Sequence, residues 1–543
     1  MALAGAHNSC ARKTPMTIPR RCPAPSGWGS RRPGRTRALG RALLLTALVA
    51  CPARAADRIY WCNTDIPMVG DNIKIGFANL DGSGGGDLPI PGTAQMILGI
   101  ALDPAGGRIY FTYADDTIRY MRFDGSGGDV VPVTGATLSA AEGLAIDHAA
   151  RRIYWVNRIA GKVSFANLDT GSGGDLVTPG ATVLQPKGVV VDPGTGRVYW
   201  TNADIAAGQP GISFAKLDGS GGGDLPLTGA TLDQPIGLTI DPGAQRVYWG
   251  NAGGTKISVA GVDGTNASDL SVSGATVFEP IGMALDPVAG RIYWANYGVN
   301  KLSFANLDGS NGADVSVTNA TVYRPGFVSL LDHPTGDGPP DVTGEATVGS
   351  TLSCSDGSWA PDVPPSSFYR APESLAFQWS RGGVDIGSAT ARTVVASAPG
   401  DYRCRVTATN AAGSSSQTSA PVTVMQPTFG TETLVSLSLT VQSIPAKGPL
   451  QVKITNANGF QVSGMLSGQA LTRVGTGHKR RLDVATMPFT VAANADTTAD
   501  VTLKKALRGL LRHKHKKWTL RLSAAVEDPA GQTRTVTLDA PAS

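Results

Sequence analysis

Three features of the sequence predict an all-β fold class. The phrase Arg-(Ile/Val)-Tyr-(Trp/Phe) occurs six times, ending at Trp61, Phe111, Trp155, Trp200, Trp249 and Trp294. The spacings of 50, 44, 45, 49 and 45 residues are the period at which radial arrays of four-stranded blades recur. Between the copies, short apolar alternations end at Asp-Gly turns, the strongest short-range mark of a β-hairpin. Beyond residue 340 the chain again alternates apolar and polar residues at strand period, with one short helical insert.

Each repeat reads as four strands. A Gly-containing apolar run ending in Asp comes first, as in Gly237-Leu238-Thr239-Ile240-Asp241, and the Arg-Val-Tyr-Trp strand follows a short turn. Then come an alternating strand closing on a hairpin, Phe214 to Ser220, and a short run from Asp224 to Leu227. Such a meander cannot bury both faces alone; stacking on the next unit buries them, and radial closure removes most open edges. The first aromatic strand, Arg58–Trp61, lacks a preceding Gly-apolar-Asp strand, and the last such strand, Gly326 to Asp332, lacks an aromatic successor. The two fragments make one blade. The prediction is a six-bladed β-propeller over 57–335, closed by pairing its C-terminal strand with its N-terminal ones.

The units Gly-Leu-Ala-Ile-Asp, Arg-Ile-Tyr-Trp-x-Asn and Phe-Ala-Asn-Leu-Asp-Gly-Ser resemble the YWTD propellers of low-density-lipoprotein-receptor-type proteins (LDL receptor class B repeats). The resemblance covers roughly half the chain and implies a propeller that binds a protein ligand. The motif's Asp is replaced by Asn63, Tyr113, Asn157, Asn202, Asn251 and Asn296. An amide keeps the hydrogen bonds of a carboxylate without its charge.

Residues 1–56 hold ten Lys or Arg and no Asp or Glu, ahead of an apolar run, Ala42 to Ala50, and the small-x-small site Ala53-Arg54-Ala55. This pattern is a secretory signal over 1–55. A rival reading takes Leu48-Val49-Ala50-Cys51 as a lipobox that would lipidate Cys51. The expectation is a secreted or cell-surface protein, with Met16 as an alternative start. Without the leader the balance is 37 basic against 42 acidic residues, so the basic isoelectric point belongs to the leader and nucleic-acid binding loses its support.

After the propeller, Gly336-Asp337-Gly338-Pro339-Pro340 reads as a linker, 336–341. Cys354, Trp379 and Cys404 then stand 25 residues apart in each interval, with Tyr402 two before the second Cys. Residues 342–425 resemble the Ig-like modules of bacterial surface proteins. That resemblance implies an Ig-like β-sandwich with a disulfide between Cys354 and Cys404, packed on Trp379 and cornered by Tyr402, which an exported chain permits. Cys62, at a blade position otherwise held by Thr, Val, Thr, Gly and Ala, reads as a small buried residue. The segment 430–543 predicts a C-terminal β-sandwich with an amphipathic insert, Lys504 to Leu511, and a basic run, Arg512 to Lys517. Its 15 basic and 7 acidic residues suit an anionic envelope polymer, although a solvated face explains them as well. His513 and His515 lack a third metal ligand.

No nucleophile elbow, Cys-His signature or zinc cluster appears, so the chain reads as no enzyme, with no cofactor and no metal site. His148 and His333 follow a blade Asp where Pro usually stands. Pairs such as Asp218/Asp224 and Asp124/Asp129 flank hairpins and offer too few oxygens for calcium. Repeat positions that differ between blades are free for recognition. Three residues before the Gly of each first strand stand Met96, Ala140, Gln185, Gln234, Glu279 and Tyr323; one before it stand Leu98, Glu142, Lys187, Ile236, Ile281 and Pro325. These positions should ring the central opening. The loops after the aromatic strands are longest in the first and fourth blades, so Asp65 to Asn72 and Asp204 to Pro210 should wall the mouth from opposite sides. The ligand-face candidates are therefore Asp65, Met68, Asp71, Glu142, Gln185, Lys187, Asp204, Gln209, Gln234, Glu279 and Tyr323, facing a protein or glycan. An extracellular propeller lyase or hydrolase and a structural spacer on the envelope are the alternatives.

Overall fold

The computed structural model describes residues 58–64, 73–90, 96–203, 210–445, 447–471, 482–511 and 518–542. The leader with Cys51 and the basic run with His513 and His515 lie outside them. Six antiparallel sheets form the ring. Blade 4 shows the plan: an inner strand Pro186–Asp192, the aromatic strand Arg197–Asn202, a third strand Gly211–Lys216 and a short outer strand Gly222–Asp224. Blade 1 is closed from both ends of the ring, its inner strand Pro325–Leu331 pairing antiparallel with Arg58–Asn63.

Period-two alternation explains why the repeated phrase packs the ring. Successive side chains of each aromatic strand point to opposite neighbours, so its Tyr faces one blade and its Trp the other. Tyr199 shares a core with Trp249, Tyr154 with Trp200, Tyr248 with Trp294, Tyr110 with Trp155 and Tyr60 with Phe111. Tyr293 and Trp61 complete the circle across the closing blade. The five indoles of the ring are wholly buried, and each donates to the carbonyl of a Thr in the preceding inter-blade turn, as Trp249 does to Thr231 at 3.0 Å.

The second module is a β-sandwich. One sheet holds Val342–Thr343, Thr351–Cys354 and Thr393–Val395; the other is built on Ser374–Arg381 and Gly400–Asn410. A Cys354–Cys404 disulfide joins the sheets over the buried Trp379, and the Tyr402 hydroxyl donates to the Ala398 carbonyl at 3.0 Å. Gly336–Gly338, expected as linker, is a strand paired with Ser358–Trp359. The C-terminal module packs a three-stranded sheet, Val435–Leu439, Leu450–Asn456 and Ala495–Val501, against a four-stranded one. The helix Lys505–Leu511 adds Leu507 to that core. Among the described residues no helix is long and apolar enough to cross a membrane.

One loop of the second module lies across the end of the ring where the inner strands finish. Its Pro364–Ser366 turn seats Ser366, whose hydroxyl donates to the Ile240 carbonyl at 2.6 Å, while Thr239 donates to the Pro365 carbonyl at 3.4 Å. Phe368–Tyr369 then adds as a fifth strand, parallel to Leu330–Leu331, on the free inner edge of blade 1. Leu330 and Asp332 donate their N–H groups to Ser367 and Tyr369 at 2.9 and 2.8 Å. Phe368 packs among Trp61, Ala284 and Leu330. The His148 ring of blade 3 meets the Tyr369 ring edge-on at 5.3 Å. Prolines suit this crossing, since they bring no N–H that would need a partner. Burial, with Asp362 and Asp103 adding to it, pushes the Tyr369 hydroxyl far above its ordinary value. Ser366→Ala should cost about 1 kcal/mol through the lost buried hydrogen bond. Thermal unfolding should then show a melting point about 2–4 °C lower; an unchanged melting point would mean that the loop is not seated.

Candidate ligand-binding mouth

The opposite end of the ring is where the inner strands begin, and one backbone staple defines it in all six blades. The carbonyl of the residue preceding each inner strand accepts the N–H of the residue following the aromatic strand. The pairs are Met96/Ala114, Ala140/Arg158, Gln185/Ala203, Gln234/Ala252, Glu279/Tyr297 and Arg324/Thr64. Ala140, Gln185, Gln234, Glu279 and Arg324 hold this place at φ of 49°, 43°, 51°, 49° and 42°, a left-handed conformation rare for residues with a Cβ. Recurrence in five blades marks it as part of the architecture.

This register corrects the reading of blade 1. Its staple residue is Arg324, and Tyr323 stands one place earlier. The cause is a slip in the sequence landmark: Phe327 occupies the place of Gly188, and Leu331, opposite Arg58, occupies the place of Asp192. In other blades that glycine is forced by contact, since a Cβ on Gly188 or Gly237 would overlap the carbonyl of Ile236 or Ile281 in the next blade. Blade 1 keeps a side chain there, and Phe327 joins the aromatic cluster of Tyr60, Phe111 and Tyr113.

The remaining candidates fall into two groups and an undescribed remainder. Glu142, expected to face a ligand, is only 5% exposed and is held from within the protein. Its Oε1 accepts from Arg158 Nε at 2.7 Å and Lys187 Nζ at 2.8 Å. Lys187 is therefore committed to this pair of blades, and the corner offers two cations against one carboxylate. Gln185 and Gln234 are exposed on their turns and Glu279 is half-buried. Asp65, Met68, Asp71, Asp204 and Gln209, with most of the two expected walls, lie outside the described residues.

The second group lies where blade 6 meets blade 1. The Arg324 guanidinium carbon sits 5.6 Å from the Tyr297 ring centre and 5.9 Å from that of Tyr323. Beside them Phe278 is 41% and Val299 38% exposed, and Phe278 and Glu279 close over Gly298. Arg324 N–H donates to Asn300 Oδ1 at 2.7 Å, fixing the turn. Sequence reasoning named Tyr323 and Glu279 here and missed Phe278, Tyr297 and Arg324. Aligning the blades on Gln185-Pro186, Gln234-Pro235, Glu279-Pro280 and Arg324-Pro325 would have found the arginine.

Beneath the mouth, a polar chain recurs in blades 3 to 6. In blade 5 the Asn251 Oδ1 accepts the Asp233 N–H at 3.0 Å, and its Nδ2 donates to Ser258 Oγ at 2.9 Å. Ser258 in turn donates to Asp269 Oδ1 at 2.8 Å. Asp269 also accepts the Thr231 N–H, the Thr231 hydroxyl and Lys256 Nζ, at 2.8, 2.8 and 2.6 Å. The amide is needed because it donates to the serine and leaves the serine's one proton for the aspartate. Cys62 is buried, and desolvation pushes its thiol up to about 12, as a packing residue requires. Among the described residues no cluster of three His, Cys, Asp or Glu could hold a metal.

Two consequences are measurable. Burial raises the Asp175, Asp269 and Asp314 carboxyls, but the lysine, serine and threonine donors outweigh it and hold all three low, Asp314 at about 2. An unfolded aspartate titrates near about 3.9. The clamps therefore contribute fully above about pH 4 and are lost as pH falls through the depressed values. Urea midpoints should be flat above that pH and drop below it. Asn251→Asp sets two carboxylates on one serine hydroxyl, so it should destabilise by about 1–3 kcal/mol at pH 7. The deficit should shrink at pH 4.5; an equal deficit at both would refute the proton count.

A scan against protein-family models finds none that matches, and a search of the curated proteins finds no match. Among solved structures the chain is similar to one chain of a nidogen/laminin complex at 19% identity, covering 50% of this chain and 98% of that one, with a TM-score of 0.40. It is also similar to hydrazine synthase of Kuenenia stuttgartiensis, at 11% identity over 43% of this chain and 71% of that one, TM-score 0.34. A third likeness is to regucalcin, a calcium-binding protein of Agrobacterium tumefaciens, at 15% identity over 49% and 83%, TM-score 0.32. At these scores the likenesses carry nothing about the site. The class is defined by the chain's own strand pairing: a six-bladed propeller with one end covered by a loop of the second module.

Proposed function

We propose that this is an exported or cell-surface binding protein whose propeller recognises a protein ligand through its open mouth. The observation that carries the reading is the asymmetry of the ring. One end is filled by the protein's own Ser366–Tyr369 segment, whereas the other presents Phe278, Tyr297, Val299, Tyr323 and Arg324 together. Tyr, Phe and Arg are the residues enriched in protein interfaces and their energetic centres, and the mouth is built of turns held by a stiff scaffold. The signal-like leader supports export. The Ig-like reading of the second module supports a surface protein in which that module mounts the propeller and turns its mouth outward.

The test uses the full secreted chain as bait against extracellular material of its native organism. Saturable capture of a protein is expected, and Arg324→Ala with Tyr323→Ala should weaken it at least about tenfold, or 1.4 kcal/mol, without lowering the melting point. Capture that survives both substitutions would place recognition elsewhere. Capture of glycan alone would overturn the protein-ligand reading.

A further inference from the structure

Blade 2 departs from the other five at its outer hairpin, and a cavity lies beside the departure, at the covered end of the ring. From the hairpin Asp to the outer-strand Asp the other blades count six residues, as in Asp218 to Asp224, but blade 2 counts five, Asp124 to Asp129. A one-residue slip turns every following side chain to the other face of the sheet. In blades 3 to 6 the outer Asp stands opposite the clamp serine, as Asp224 does opposite Ser213. In blade 2 Val130 takes that place opposite Arg119, and Asp129 stands opposite Tyr120.

The face that Asp129 joins carries two guanidinium groups. Arg108 and Arg122 are directly opposed across neighbouring strands, an arrangement that destabilises a sheet unless something neutralises it. The equivalent partners are Asn79, Asn167, Lys216, Gly261 and Asn306. Arg108 is held in place, 4.2 Å over the Tyr120 ring and bonded to the Tyr110 hydroxyl at 3.4 Å. Neither arginine forms an ion pair with a carboxylate among the described residues. Asp103, directly opposite Arg108 across the strands, is taken by Arg151 at 3.0 Å. Asp129 itself accepts the Val130 N–H at 2.8 Å. Between them lies a cavity of about 360 Å³ walled by Gly106, Gly127 and Gly128, within the range of small-ligand sites.

We propose that this cavity binds the carboxylate of a hydroxylated organic acid, the uronic acid unit of an acidic polysaccharide. Two guanidiniums match a carboxylate in fork geometry. The Asp129 carboxylate would repel a bare inorganic anion but accepts hydroxyl hydrogens from a ligand that bears both. The glycine wall lets a sugar ring approach the backbone closely. Because blade 2's cavity lies at the plugged end, a ligand here and one at the mouth would not compete.

Calorimetric titration of the full secreted chain tests the proposal with D-galacturonate, with galactose and sodium sulfate as controls. Saturable galacturonate binding at about millimolar Kd is expected, with galactose and sulfate at least about tenfold weaker. Arg122→Gln, an exposed position, should cost at least about tenfold, or 1.4 kcal/mol, and Arg122→Lys should recover part of it. Asp129→Asn should weaken galacturonate yet strengthen sulfate, and Lys216→Gln in blade 4 should change neither. Absence of saturable galacturonate binding, sulfate binding as tight as galacturonate, or indifference to Arg122→Gln would each overturn the site.

Discussion

One threonine in each of five inter-blade turns holds the ring together, because it satisfies groups on two strands of the following blade at once. Its carbonyl takes the indole N–H of the aromatic strand, and its own N–H and hydroxyl go to the outer-strand aspartate of the same blade. A buried indole without an acceptor would forfeit about 1–3 kcal/mol, a large share of what its packing contributes, so the tryptophan and the clamp support one another. Closure uses the same device over the longest span: Thr321 accepts from Trp61, 260 positions away, and donates to Asp87, 234 positions away. Blade 2 has Phe111, which needs no acceptor, and has also lost the clamp aspartate to its short hairpin.

The plug follows from what the ring leaves unfinished. Inner strands have a free backbone edge toward the axis, and free edges recruit strands. Here the recruit is Phe368–Tyr369 of the next module. The chain's exit from the ring is bound into the same contact. Asn410 donates to the Asp332 carbonyl at 2.8 Å and Ala412 packs with Tyr60 and Leu331. Propeller and second module are thus joined through a shared core, and this end of the ring is covered.

The fold was legible because every element of the ring is repeated. Six copies of a phrase with strand period announce stacking, and a missing strand at each end announces closure. The site was less legible because its landmarks drift. Gly326 invited an alignment one residue out of register, which favoured Tyr323 over Arg324. Glu142 looked like a free carboxylate because nothing in the sequence shows that Arg158 and Lys187, 16 and 45 residues away, converge on it. In the C-terminal module the strands Val462–Ala470, Asp483–Val491 and Ala495–Val501 escaped notice. Gly464, Gly468 and Pro488 interrupt two of them, and the third is mostly small polar residues.

What the sequence by itself determined is the set of local choices that repeat: strand period, turn chemistry, blade number and the Tyr–Trp alternation that makes each blade need its neighbours. These follow from the backbone's short-range geometry, which is the same wherever the motif recurs. Only the tertiary structure decided which end of the ring is covered. That depended on a loop rich in proline, Pro361 to Tyr369, finding the free edge of a strand closed from the other end of the chain. A contact between unrepeated segments leaves no period to read, because its partners are chosen by three-dimensional proximity alone.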